Sequence, residues 1–122
     1  MIQEELRIGN WVDTVYNIPY MKITEIKNSV VCGDNCKGMS YTSLKPIPLT
    51  GEILLKCGFE SPYISDAYSR YYYHEEITGL FEIIHGEVQY SIDSNIVCEM
   101  GYLHQLQNLF YAITGKELEV KL

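Results

Sequence analysis

The segment Tyr102–Thr114 constrains this chain most, because its apolar residues recur at helical spacing and a glycine follows it. Leu103, Leu106, Phe110 and Ile113 lie on one face, with Tyr102 and Leu109 beside them, and Gly115 stands where a left-handed residue ends a helix. Burying six such side chains is worth roughly 1.5–3 kcal/mol each before conformational entropy is subtracted. The pattern therefore predicts an amphipathic helix over 102–114 docked on the rest of the chain, as the cover of a sheet.

The sheet it should cover lies just upstream. Phe81, Ile83 and His85 alternate with Leu80, Glu82 and Ile84, and Val88, Tyr90 and Ile92 alternate with Gln89 and Ser91. His85-Gly86 reads as the turn of a hairpin, and Asp93-Ser94-Asn95 turns the chain again into Ile96–Glu99. With Arg70–His74 these make a four-stranded antiparallel meander covered on one face. After Gly115, Leu118, Val120 and Leu122 alternate with Glu119 and Lys121, which predicts a terminal strand over 117–122.

Residues 1–50 read as short strands and turns. Apolar pieces flank Gly9-Asn10, Met21 and Ile23 oppose Lys22 and Thr24, and Ser29–Cys32 and Met39–Tyr41 flank the turn Gly33-Asp34-Asn35. Lys45-Pro46-Ile47-Pro48-Leu49 cannot be a central strand, because a proline lacks the N–H that a ladder uses, so it is an edge or an exit. A small twisted sheet or Src-homology-3-type barrel is expected here. Thr50 can cap a short helix over 51–57, with Gly58 closing it and Phe59 within reach of Leu54. Ser61–Ser69 is polar without a period and reads as a loop. The expected fold is α+β, a small β subdomain over 1–50 followed by an α+β subdomain over 51–122.

A chain of 122 residues is of ordinary single-domain size, and 47% apolar with 20% charged residues is a globular composition. No stretch approaches the ~20 apolar residues that span a bilayer, and Met1-Ile2-Gln3-Glu4-Glu5-Leu6 lacks the basic and apolar character of an export signal. The expected setting is cytoplasmic, and the four cysteines are expected to be free thiols. Charge is unevenly placed. Residues 1–50 carry five basic and five acidic side chains, whereas residues 51–122 carry four basic and eleven acidic ones, so the net charge of −7 lies in the second part. Phosphate binding needs clustered Lys and Arg, and there is no such cluster; neither nucleic acid nor membrane is expected as a partner.

Arg7-Ile8-Gly9-Asn10-Trp11-Val12, Ser43–Thr50 with Gly58-Phe59, and above all His104-Gln105-Leu106-Gln107-Asn108 followed by Ala112, Thr114-Gly115 and Glu117-Leu118 carry a resemblance that covers the chain end to end. The chain resembles small uncharacterised proteins of gut Bacteroides genomes, often found in prophage or mobile-element surroundings. The resemblance implies the element order and a bacterial, cytoplasmic or phage-related setting; it implies no activity, substrate or cofactor. Gly51 departs from that pattern, where a helix-favouring residue is usual, and Cys32, Cys36, Cys57 and Cys98 are outside it.

Candidate sites are few. Cys32-Gly33-Asp34-Asn35-Cys36 places two thiols on a turn, but zinc needs two further ligands and no second paired spacing supplies them, so local packing is the commoner explanation. His74-Glu75-Glu76 with Glu82 offers imidazole and carboxylate for proton transfer, yet it lacks the second histidine of a His-Glu-x-x-His zinc site, and a charged hairpin turn is by far the commoner explanation. Eleven tyrosines are an excess, and Tyr71-Tyr72-Tyr73 sends Tyr71 and Tyr73 to one face, as a contact surface or simply as a strand of high β-propensity. On the helix, His104, Gln107, Asn108 and Tyr111 are spaced i, i+3, i+4 and i+7 and form a polar stripe that could bind a partner. A solvated face, or a set of hydrogen bonds to the sheet edge, explains the same stripe. Trp11, the one tryptophan, reads as core.

The function expected from these features is a non-enzymatic protein-interaction module, a phage or mobile-element accessory protein with Tyr71, Tyr73, His104, Gln107, Asn108 and Tyr111 as candidate contacts. Its partner would be another protein or a second copy. No catalytic residue, metal ligand or cofactor is expected. Two alternatives stand beside it: an acidic mimic of nucleic acid that inhibits a host DNA-binding enzyme, and a small metal-dependent hydrolase built from His74, His85 and the cysteines.

Overall fold

The computed structural model describes residues 3–16, 19–61 and 71–122 and is an α+β structure with two antiparallel sheets and two α-helices. It divides into two compact units: Met1–Pro48 with Tyr102–Leu109, and Leu49–Gly101 with Phe110–Leu122. The expected boundary at residue 50 falls at 48, and the second part is not continuous in sequence. Most of the loop expected over Ser61–Ser69, and Arg70, lie outside the described residues.

The first unit holds β1 (Trp11–Thr14), β2 (Met21–Lys27), β3 (Val30–Gly33), β4 (Cys36–Ser40) and β5 (Leu44–Lys45), in the order β4-β3-β2-β1-β5. Alternation does what it predicts in β2, where Met21 and Ile23 are buried and Lys22 and Thr24 exposed, and in β1 Val12 and Thr14 point inward. Leu6, Val31, Met39 and Leu44 complete that core. A short 3₁₀ turn over Tyr41–Ser43, capped by the Ser40 hydroxyl, leads into β5. The two-residue β5 takes the sheet edge beside β1 before Pro46 and Pro48 end the pairing. Trp11 is only half-buried, so the tryptophan is not the core residue expected of it.

In the second unit α1 spans Gly51–Lys56. The Thr50 hydroxyl accepts from the Ile53 N–H at 3.2 Å. At the other end Gly58 has φ +84°, its N–H donates to the Leu55 carbonyl at 3.1 Å, and the Phe59 N–H donates to the Leu54 carbonyl at 3.1 Å. That pair of bonds is a Schellman closure. Glycine at position 51, a poor helix former, has a packing reason: a Cβ there would overlap the Tyr72 hydroxyl.

The meander follows as β6 (Tyr71–His74), β7 (Ile77–Ile84), β8 (Glu87–Ile92) and β9 (Asn95–Met100), in that order across the sheet. His85 and Gly86 have φ of +50° and +82°, and Asp93 and Ser94 +51° and +68°, which are the left-handed pairs that two-residue hairpin loops require. Phe81 and Tyr90, paired across β7 and β8, stack at 4.5 Å, and Phe59 meets Phe81 edge-on at 4.9 Å.

Helix α2 spans Leu103–Thr114 and buries Leu103, Leu106 and Phe110, but Ile113 is half exposed and Tyr102 also faces solvent. Residues up to Leu109 group with the first unit and those from Phe110 onward with the meander. The expected terminal strand is absent among the described residues. Leu118 is buried, yet the last residues make no ladder, and the Lys121 N–H bonds singly to the Lys56 carbonyl at 3.0 Å.

Candidate interaction site

The polar stripe of α2 is mostly buried. Gln107 is 1% exposed; its Oε1 accepts from the Trp11 N–H at 2.8 Å and its Nε2 donates to the Gly9 carbonyl at 3.0 Å. Asn108 Oδ1 accepts from Asn10 Nδ2 at 2.9 Å and Arg7 Nε at 3.1 Å, while its Nδ2 donates to the Glu5 carbonyl at 2.7 Å. Gln105 Nε2 donates to Glu5 Oε1 at 3.0 Å. Gln107 and Asn108 thereby satisfy the Trp11 N–H and the Gly9 and Glu5 carbonyls, while Gly9 and Asn10 also bond to the Ile23 backbone. Gln107 and Asn108 thus bind the chain's own residues 5–11, and Gln107 offers no surface to a partner.

His104 is also buried, 1% exposed, and neither ring nitrogen has a hydrogen-bond partner among the described residues. Its ring lies parallel to that of Tyr102 at 6.1 Å, and Nε2 is 3.8 Å from Glu5 Oε1. Burial pushes its pKa down, partly offset by the Glu5 carboxylate. The imidazole is therefore neutral at pH 7 and is not an exposed contact.

Tyr71, Tyr73 and Tyr111 belong to the second unit, whereas His104, Gln107 and Asn108 belong to the first. Tyr73 is 39% exposed; its hydroxyl donates to Glu60 Oε2 at 2.7 Å, and that bond raises its pKa. Tyr71 is half-buried opposite Glu82, and Tyr111 is exposed on the last turns of α2.

The His74-Glu75-Glu76 segment lines a cleft of about 410 Å³ together with Cys57, Phe110, Glu117 and Lys121. His74 Nδ1 accepts from the Glu76 N–H at 3.1 Å, and its ring meets Phe59 and Phe110 edge-on at 5.0 Å each. Aromatic packing and that hydrogen bond fix the imidazole. Its neighbour Cys57 is buried, and burial pushes the thiol up to about 12, so it is no nucleophile at neutral pH. Glu76 pairs with Lys116 at 3.6 Å and Glu119 with Lys121 at 3.6 Å. Among the described residues no three His, Cys, Asp or Glu side chains are grouped closely enough to hold a metal ion. Nor is any helix there long and apolar enough to cross a membrane.

The most exposed apolar surface in the meander is on β9. Tyr90 pairs with Cys98 but Ser91 pairs with Ile96, so Val97 is the extra residue of a β-bulge. Strict alternation would turn one of two successive residues inward; here Ile96 is 62% and Val97 49% exposed. Leu80, on the row that pairs Ser91 with Ile96, is exposed too. From Tyr71 to Gly101 the sequence holds six acidic residues and no Lys or Arg. That charge pattern is the sequence signal for this surface; the bulge has none.

The chain matches no protein-family model, no curated protein and no solved structure.

Proposed function

We propose that this chain is a non-enzymatic protein-interaction module whose contact surface is the acidic, apolar-bearing four-stranded sheet. The observation that carries the reading is the adjacent exposed pair Ile96 and Val97 on a terminal strand. Large apolar side chains side by side on a sheet without cations are a costly surface to leave in water, and such patches mark contact sites. Exposed Tyr73 and Tyr111 add aromatic area of the kind interfaces favour. The resemblance to small Bacteroides proteins supports a phage or mobile-element accessory role in the cytoplasm. For the first unit, the order β4-β3-β2-β1-β5 with a 3₁₀ turn before the last strand supports an open arrangement of Src-homology-3 type.

The test is affinity capture from lysate of the source bacterium with the wild-type chain and with a double variant, Ile96→Ser and Val97→Ser. A protein retained by the wild type and lost by the variant is the expected result. Identical capture by both, or none by either, sinks the reading.

The six carboxylates of residues 71–101 favour one second reading, an acidic mimic that occupies the basic cleft of a nucleic-acid-binding enzyme. Duplex DNA would then compete with the chain for that enzyme, and binding would collapse in moderate salt; capture indifferent to both removes it.

A further inference from the structure

The four-stranded sheet has two ends of different character. At β6, Glu60 bridges Tyr73 with two backbone hydrogen bonds of 2.9 Å. At β9, no backbone hydrogen bond to its outer side exists among the described residues. Edge strands that stay solitary are commonly blunted by lysine, proline or an inward charge, since their unpaired N–H and C=O groups are a template for another strand. Asn95-Ile96-Val97-Cys98-Glu99-Met100 has neither lysine nor proline. Its bulge bends the strand, yet brings two apolar side chains to the surface.

Charge decides what can cover this edge. A second copy would set its own Glu87, Asp93 and Glu99 against the same three residues of this one, and residues 71–101 hold no Lys or Arg to offset them. A basic strand meets no such repulsion. Glu87 and Glu99 are exposed on the strands nearest the edge, and Asp93 is exposed in the hairpin between them. Six residues of β-strand extend about 20 Å, enough to pair a partner segment of similar length.

We infer that β9 accepts an extended, Lys- or Arg-bearing segment of a partner protein as a fifth strand of the meander. Backbone pairing supplies the ladder, alternate apolar side chains of the partner sit on Ile96 and Val97, and its cations face the sheet's carboxylates. The inference rests on the interaction-module reading and adds to it the docking mode and the partner's chemistry.

The test uses the full chain and three fluorescent peptides: alternating Lys and Val; the same peptide with two Val replaced by Pro; and alternating Glu and Val. Anisotropy should rise with the Lys-Val peptide, and raising the salt should weaken that binding by about tenfold or more. The proline peptide carries the same charge but cannot complete a ladder, and should bind at least about tenfold more weakly. The Glu-Val peptide should not bind. Amide hydrogen exchange over Asn95–Met100 should slow in the bound state, and the Ile96→Ser, Val97→Ser variant should bind more weakly with an unchanged circular-dichroism spectrum. Equal binding of both lysine peptides, protection elsewhere than β9, or no binding at all overturns the inference. So does a concentration-dependent dimer of the chain alone that protects β9, which would make a second copy the occupant. If the peptides fail while the serine variant still loses a partner from lysate, the interaction-module reading stands without this one.

Discussion

At the scale of the residue, the first unit depends on polar side chains that reach backbone. Gln107 has both ends engaged, so Gln107→Ala leaves the Trp11 N–H and the Gly9 carbonyl without their partner. That should cost about 2 to 4 kcal/mol, read as a fall in the urea midpoint. A loss below a few tenths would mean that water replaces the amide. His104 has the opposite defect, two buried nitrogens with no hydrogen-bond partner among the described residues. Its folded-state pKa lies below the unfolded value of ~6.5, so the unfolded chain takes the proton first. Stability from the neutral ring is fully present above that pH and is lost as pH falls through ~6.5 and below. His104→Phe keeps a ring beside Tyr102 and removes the titration. The urea midpoint of this variant should fall less between neutral and mildly acid pH; an unchanged acid limb would show that His104 does not control it.

At the scale of the element, turns and caps follow short-range rules. Gly79 shows where those rules meet tertiary packing: it has φ +117°, and a Cβ there would sit 2.7 Å from the Ser91 carbonyl oxygen and 2.6 Å from the Tyr90 ring. Gly86 also has a positive φ, +82°, but open space around it. Gly86→Ala should therefore cost about 1 kcal/mol, whereas Gly79→Ala should cost about 2 kcal/mol or more, in the same thermal or urea measurement. Equal losses would place the whole cost in the backbone angle. This contrast also explains what the sequence made legible. Thr50, Gly58, His85-Gly86 and Asp93-Ser94 act within a few residues of themselves, so α1 and the two hairpins of β7–β9 could be read directly. The alternation of Leu118, Val120 and Leu122 carried no such information, because a strand requires a partner edge and the chain end finds a single bond to Lys56 instead. The Val97 bulge depends on cross-strand register, which no local pattern encodes.

At the scale of the whole molecule, α2 is the element whose place was least legible. Its period identified a helix, but a helical wheel cannot say that Gln107 is buried while Ile113 is half exposed. Nor can it divide one helix between two compact units, its residues to Leu109 with the first and Phe110 onward with the second. For the candidate site the limit was similar: the acidic second half was plain, whereas the exposed edge bearing Ile96 and Val97 appeared only with the sheet order. The division of α2 has a consequence for folding. A chain cut after Gly101 loses Leu103 and Leu106 from one unit and Phe110 and Leu118 from the other, all buried. Four such side chains are worth about 6 to 12 kcal/mol of burial, as large as the ~5–15 kcal/mol that holds a typical domain together. The first unit would also lose the amides that satisfy residues 5–11. Both sheets should therefore lose their protected amides in the truncated chain, and its urea titration should show no cooperative transition. Persistence of slowly exchanging amides in the meander alone would mean that Phe110 and Leu118 contribute far less to the second unit than their burial implies.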